Sequence, residues 1–205
     1  MYKNFLKNII DIILAFIFII ILMPLFIIVS IMIAVKLGLP VFYSQERPGK
    51  NAKPFSLYKF RSMTNETDSY GNLLPNEKRL TSFGKKLRAT SIDELPSLIN
   101  VLKGELSIVG PRPLRTRYLK LYTKEQNKRH KVKPGITGYA QANGRSNISW
   151  DEKFKMDSYY VDNISFIFDL KIMIQTFLNV LKRKDTNPEG DTFEIPFDEY
   201  VKQKK

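Results

Sequence analysis

The chain has 205 residues, 43% of them apolar, with 33 Lys and Arg against 20 Asp and Glu for a formal net charge of +13. It carries no cysteine and a single histidine, His130, which excludes disulfides, thiolate catalysis, Cys-ligated zinc and any histidine-rich metal centre. Carboxylates and arginines must carry the chemistry, and the length suits one membrane element and one modest soluble domain.

The run from Ile12 to Val35 is apolar except for Ser30 and holds Pro24 near its midpoint. At about 1.5 Å per residue, a straight helix of this length exceeds the roughly 30 Å hydrocarbon core. Pro24 removes the hydrogen bond to the Ile20 carbonyl and clashes with that turn, at a cost of roughly 3 kcal/mol. That divides the run into arms of about 16 to 18 Å, each half a bilayer deep. Lys3 and Lys7 precede the run and Lys36 follows it, so no charge asymmetry directs a one-way span. A re-entrant helix broken at Met23-Pro24 is favoured over a single span, and Leu37-Gly38-Leu39-Pro40 matches a signal-peptide cleavage site poorly. The expected organisation is a membrane anchor at 1–38, a cytoplasmic domain at 39–185 and a polar, weakly ordered tail at 186–205. The basic excess suits anionic inner-leaflet phospholipid, at about 1 kcal/mol per basic residue near the surface. Nucleic acid competes for such charge, but no reader motif accompanies it, so nucleic acid is not expected as a partner.

Beyond the anchor, residues 40–45 and 55–60 read as a small hairpin around Arg47-Pro48-Gly49-Lys50. Residues 64–76 are a polar loop. A helix is expected at 79–88. In 91–102, Ile92, Leu95, Leu98, Ile99 and Leu102 recur at helical spacing. That helix starts either at Ser91, capped through Glu94, or close to Pro96; in both cases Asp93 lies beside a helix N-terminus. Residues 114–129 read as a further helix, 149–160 as one opened by a Ser149/Glu152 capping box, and 166–183 as an amphipathic helix. Its stripe of Phe166, Leu170, Met173, Phe177 and Leu181 either closes the core or lies in the membrane interface. The fold class is α+β, mostly helical: a monotopic membrane protein with a re-entrant helix, a small β-hairpin and amphipathic interfacial helices.

Asp93-Glu94 is an adjacent acidic pair whose simplest role is to complement a helix N-terminus. Gly110-Pro111-Arg112-Pro113 restrains an arginine backbone on both sides, which suits a guanidinium fork presented to phosphate oxygens. Arg112, Arg88 and Arg145 are the phosphate-binding candidates in that order, each also readable as an ordinary surface or packing arginine. Gln141 is a candidate nucleotide contact or a turn hydrogen bond, and Asp157 and Asp169 are supports for a basic network. His130, between Arg129 and Lys131, reads as part of a solvated basic patch and not as a general base.

Several motifs occur together: Arg47-Pro48-Gly49, Lys59-Phe60-Arg61 within 55–63, the stretch from Ser91 to Pro96, Leu102-Lys103-Gly104-Glu105-Leu106-Ser107, Val109 to Pro113, Lys133-Pro134-Gly135-Ile136-Thr137-Gly138 and Asn143-Gly144-Arg145. With the anchor, they resemble the small monotopic polyprenyl-phosphate phosphoglycosyl transferases of bacteria, most closely those that transfer phospho-N-acetylated sugars such as di-N-acetylbacillosamine phosphate in N-linked glycosylation. The resemblance implies a UDP-sugar donor, undecaprenyl phosphate as acceptor, Mg²⁺ as cofactor and UMP as product. It implies Asp93 as nucleophile through a covalent phosphosugar, with Glu94 as its catalytic partner and both carboxylates as metal ligands. It also implies the cytoplasmic face of the bacterial inner membrane. The chain departs from the family at Met23, where a serine is usual; methionine cannot donate a hydrogen bond at the helix break. Two alternatives remain: a hexose-1-phosphate transferase on the same carrier, and a non-catalytic basic membrane adaptor.

Overall fold

The computed structural model describes residues 2–144, 148–182 and 195–204. A π-helical turn leads into helix α1, Lys7–Leu37, and helical structure persists through Pro24, so the two arms belong to one element. Met23 and Pro24 are both exposed. One stripe of α1, formed by Lys7, Asp11, Ala15, Val29 and Ile33, is buried at roughly the i, i+4 spacing of a single helix face. Ala15 packs beside Leu98 and Val101, whereas Val29 and Ile33 join Phe60 and Leu87. Both halves of the helix therefore lie against the same domain and stay on its side. Other faces of α1 expose Phe16, Ile20, Ile27 and Val35, which suits lipid.

The hairpin pairs β1, Phe42–Pro48, with β2, Pro54–Phe60, so Arg47 and Pro48 belong to a strand and the turn begins at Gly49. β2 explains the Lys59-Phe60-Arg61 motif one residue at a time. Phe60 packs against α1, while the buried Arg61 guanidinium donates to the carbonyls of Leu37, Gly38 and Leu39. A cation thus meets the negative end of the α1 dipole. Lys59 faces the acidic pair.

Two short helices, α2 (Asn76–Arg79) and α3 (Ser82–Ala89), stand where one was expected at 79–88. A 3-10 turn at Ile92–Ser97 runs into α4, Leu98–Leu102. The fully buried Asn100 accepts from Tyr58 N and donates to Ser56 O and Glu105, which ties α4 to the edge of β2. β3, Ser107–Val109, pairs in parallel with β4, Gly135–Thr137. The helix expected at 114–129 does not form: its place is taken by 3-10 turns at Thr116–Leu121 and Gln126–Lys131, with extended backbone at Arg115 and Tyr122. Tyr118 and Tyr122 join an aromatic cluster with Trp150 and Phe154, and that packing overrides local helix propensity.

Helix α5, Tyr139–Asn143, precedes α6, Trp150–Asp162, which opens with the expected Ser149/Glu152 capping box. α7, Phe166–Leu181, exposes Phe166, Ile167, Ile174 and Phe177 while burying Asp169 and Ile172. Of the expected tail, residues up to 194 lie outside the described residues, and beyond them α8, Phe197–Gln203, inserts Phe197 into the aromatic cluster at 1% exposure.

A closed polar cluster fastens α1 to the domain. Lys7 Nζ lies 2.7 Å from Asp169 Oδ2, which also accepts from the Tyr2 hydroxyl, and Asp169 Oδ1 accepts from Tyr160. Asp11 accepts from the Ser107 hydroxyl at 2.6 Å and from Ile108 N at 3.2 Å, linking α1 to β3.

Candidate active site

Asp93 and Glu94 sit in the first turn of the 3-10 segment, which Ser91 enters in the left-handed region at φ 57°. The Ser91/Glu94 capping box is not made. Glu94 instead turns toward two cations: its Oε1 accepts from Lys59 Nζ at 2.7 Å and from Arg112 at 3.0 Å. Neighbouring charges tune the two carboxyls in opposite directions. Burial, reinforced by the negative charge of Glu94, pushes Asp93 up to about 6 against the pull of Lys59, Arg88 and Arg112. Burial by itself would also raise Glu94, but the charges and hydrogen bonds of Arg112 and Lys59 outweigh it and hold this carboxyl below the usual range. One carboxylate is therefore locked by its cations, while the other is desolvated and less tightly held.

Beside Glu94 lies a shallow cleft open to solvent, with Glu94, Lys59, Arg112 and Arg47 on its polar wall and Leu57, Leu106 and Ile136 on its apolar wall, and the buried Asp93 behind that wall, outside the lining. Lys59 and Arg47 were missed as site residues. The signal for Lys59 was present: it continues the inward face of Phe55 and Leu57, a position that otherwise calls for an apolar side chain. Arg47 stands opposite Phe55 in the hairpin register.

The arginine turn is held by backbone contact. Gly110 N donates to Thr137 O at 2.8 Å and Gly135 N donates to Pro111 O at 3.0 Å. A Cβ on Gly135 would fall 2.1 Å from Gly110 N, so only glycine lets these segments meet. From beneath, the Arg112 carbonyl accepts from Arg129 at 2.6 Å, and Arg129 is paired with Asp157 at 2.9 Å. Asp157 does support the basic network; Asp169 serves the separate cluster at α1.

Arg88 donates through Nε to Ser62 Oγ at 3.0 Å, and its charge acts on Asp93. Gln141 donates through Nε2 to Ile136 O at 3.1 Å and keeps its Oε1 without a hydrogen-bond partner among the described residues. Arg145 lies outside the described residues. Of the solvated patch expected around His130, Lys131 is exposed, but Arg129 is 4% and His130 9% exposed, and His130 Nδ1 lies 2.8 Å from Asn127 Oδ1. Burial first, and then the charge of Arg129, lowers His130 to about 4.

No cluster of three or more acidic, His or Cys ligands occurs among the described residues. Mg²⁺ does not require one, because it is commonly held by one or two carboxylates completed by water and substrate phosphates. The oxygen donors of Asp93 and Glu94 fit that pattern, although Glu94 Oε1 is already engaged by two cations.

An apolar helix fastened lengthwise to a small domain, with an acid pair and a cationic cleft beside it, is the architecture of a monotopic membrane protein with a charged site. The chain belongs to the bacterial sugar transferase family, whose model matches residues 2–183. It is 62% identical over 149 residues to a Bacillus subtilis protein named "Uncharacterized sugar transferase EpsL", covering 73% of this chain and 74% of that one. It is 36% identical over 198 residues to the undecaprenyl-phosphate galactose phosphotransferase of Salmonella typhimurium, covering 88% of this chain but 41% of that protein. It is also 36% identical over 185 residues to the UDP-N-acetylgalactosamine-undecaprenyl-phosphate N-acetylgalactosaminephosphotransferase of Aeromonas hydrophila, covering 86% and 44%. The chain thus spans less than half the length of the last two. None of these three names specifies di-N-acetylbacillosamine. Family membership and the α1 packing place the protein at the bacterial inner membrane in a monotopic arrangement.

Proposed function

We propose that this chain transfers a hexose 1-phosphate from a UDP-sugar to undecaprenyl phosphate at the cytoplasmic face of the inner membrane, releasing UMP and initiating glycan assembly. A desolvated Asp93 beside a cation-locked Glu94, next to a cleft lined by Arg47, Lys59 and Arg112, carries this reading. Names specifying galactose or glucose recur more often among the relatives than one specifying N-acetylgalactosamine, which favours a hexose over the N-acetylated sugar the motifs suggested.

In the first step an Asp93 oxygen attacks the sugar-proximal phosphorus, the bond from that phosphorus to the bridging oxygen breaks, and UMP leaves with the electron pair. Asp93 then holds the phosphosugar as an acyl phosphate. In the second step an oxygen of undecaprenyl phosphate attacks the same phosphorus, restoring the Asp93 carboxylate and forming the lipid diphosphate sugar. The obstacle is like charge, since two unit charges at 4 Å repel by about 4 kcal/mol at an effective dielectric of 20. Arg112 and Lys59 supply fixed positive charge where the diphosphate arrives, and Arg88 biases Asp93 toward its ionised form. When bound by Asp93 and Glu94, Mg²⁺ would neutralise phosphate oxygens and stabilise the leaving group. Arg145 and Gln141 are further contacts for substrate phosphate and nucleotide, and anionic phospholipid is the surface partner of the basic face.

UMP release measured across UDP-glucose, UDP-galactose and UDP-N-acetylhexosamines tests the donor. The expected result is turnover of a UDP-hexose; turnover confined to N-acetylated donors would replace the hexose assignment, and no release from any donor would favour the adaptor reading. Intact-protein mass spectrometry should show a hexose-phosphate adduct that Asp93→Asn abolishes.

A further inference from the structure

The family match ends at residue 183, before α8, yet the buried side chain of this helix reaches the structure beneath Arg112. We propose that α8 is a clasp that positions Arg112, acting through Arg129; its catalytic consequence rests on the transferase reading above. Phe197 packs its ring against Phe154 and Tyr122, at centroid distances of 5.0 and 5.6 Å. Those same two rings flank the Arg129 guanidinium, at 5.4 Å for Phe154 and 5.9 Å for Tyr122. Arg129 Nη2 serves two acceptors, Asp157 Oδ2 and the Arg112 carbonyl, while Nη1 points to the Tyr122 hydroxyl at 3.5 Å. Arg112 closes the series on Glu94.

Each link has a physical reason to transmit displacement. A planar guanidinium meets two acceptors only in a narrow orientation, which the flanking rings set. Removing the Phe197 ring leaves a cavity into which Tyr122 and Phe154 relax, tilting the group they enclose. Pro111 and Pro113 restrict the backbone on both sides of Arg112, so a shift of its carbonyl is passed on instead of being absorbed locally. α8 is held in place at several points: Trp150 Nε1 donates to Ile195 O at 2.9 Å, Arg117 pairs with Asp198 at 3.1 Å, and Tyr200 donates to Asp151 at 3.0 Å.

The full-length protein carrying Phe197→Ala tests this, assayed below its unfolding temperature. Misplacing Arg112 should lower kcat for UMP release by about tenfold. Phe197→Leu, which refills much of the space, should recover most of the rate. Arg129→Lys should give the same defect, and the double variant should be no worse than either single one, because both act on one series of contacts. Hydrogen exchange provides a readout independent of activity: amides in 107–112 should exchange faster in Phe197→Ala while those of α7 do not change. Wild-type turnover by folded Phe197→Ala, or additive losses in the double variant, would overturn the clasp. If the wild type releases no UMP from any donor, the transferase reading fails separately. Exchange that accelerates only within α8 and its aromatic neighbours would then still reject the positioning role.

Discussion

The ion cluster that fastens α1 and the one beside the cleft are built differently. At α1, Lys7 and Asp169 have side chains 10% and 3% exposed, and each Asp169 oxygen already accepts a hydrogen bond from a tyrosine. At the cleft, Lys59, Arg112 and Glu94 are 22%, 37% and 20% exposed, and the neighbouring Asp93 is opposed by burial and by Glu94. The first cluster is saturated and closed, which suits a fastening. The second is open on the cleft side and electrostatically unbalanced, which suits the arrival of a charged ligand.

The sharpest way to separate the two is to neutralise one member of each. Asp93→Asn should abolish the adduct and reduce turnover by at least about 10³-fold, the scale for removal of a covalent nucleophile. It should not destabilise the fold. A carboxyl whose folded pKa is raised to about 6 gains its relative stability below its unfolded value and loses it as pH rises through 6, so removing the charge at pH 7.5 should leave Tm unchanged or higher. Thermal unfolding measured alongside turnover checks both halves. Lys7→Met should do the reverse, costing about 3 to 5 kcal/mol of stability by removing the cation that pairs with the buried Asp169. A denaturant midpoint unaltered by Lys7→Met would remove the distinction between the clusters.

Glycine packing beneath the cleft sharpens the comparison, because it affects the open cluster without changing a charge. In Gly135→Ala the new methyl meets Gly110 N at 2.1 Å and Thr137 O at 2.4 Å, both backbone atoms that cannot rotate away. The β3–β4 pairing must open and Arg112 must move, for an expected loss of about 10²-fold in kcat. Steady-state kinetics on the folded variant would show this directly, and an unchanged kcat would mean that the pairing does not position Arg112.

What the sequence revealed follows from how local each signal is. The apolar anchor, the hairpin, the Ser149/Glu152 capping box and the stripe of α7 are written in adjacent residues or short periods, so they were legible. So was the Asp93-Glu94 pair, though not the partners that set its chemistry. β3 and β4 are three residues each and join distant parts of the chain, and their glycines matter for a contact that only the folded backbone reveals. The stretch 114–131 has helical composition, but its tyrosines are claimed by Trp150, Phe154 and Phe197. Arg129 looked solvated because its neighbours are basic; its partner Asp157 lies on α6, and no local pattern announces that pair.

The smallest predicted effect concerns the buried face beneath the cleft, and it is one of acid stability. His130 is held near 4 by burial and by the charge of Arg129, so between pH 6.5 and 4 the unfolded chain takes up a proton that the folded chain refuses. That favours unfolding as pH falls. Asp157, raised to about 6 by burial despite Arg129, acts in the opposite direction over much of the same range, because its folded form is protonated first. The two slopes partly cancel in the wild type. In His130→Gln the opposing slope of Asp157 remains, so the variant should gain on the order of 1 to 2 kcal/mol relative to wild type between pH 6.5 and 4.5. Denaturant titrations at those two pH values would measure the difference, and a constant offset between the proteins would show that His130 is not held neutral by the fold.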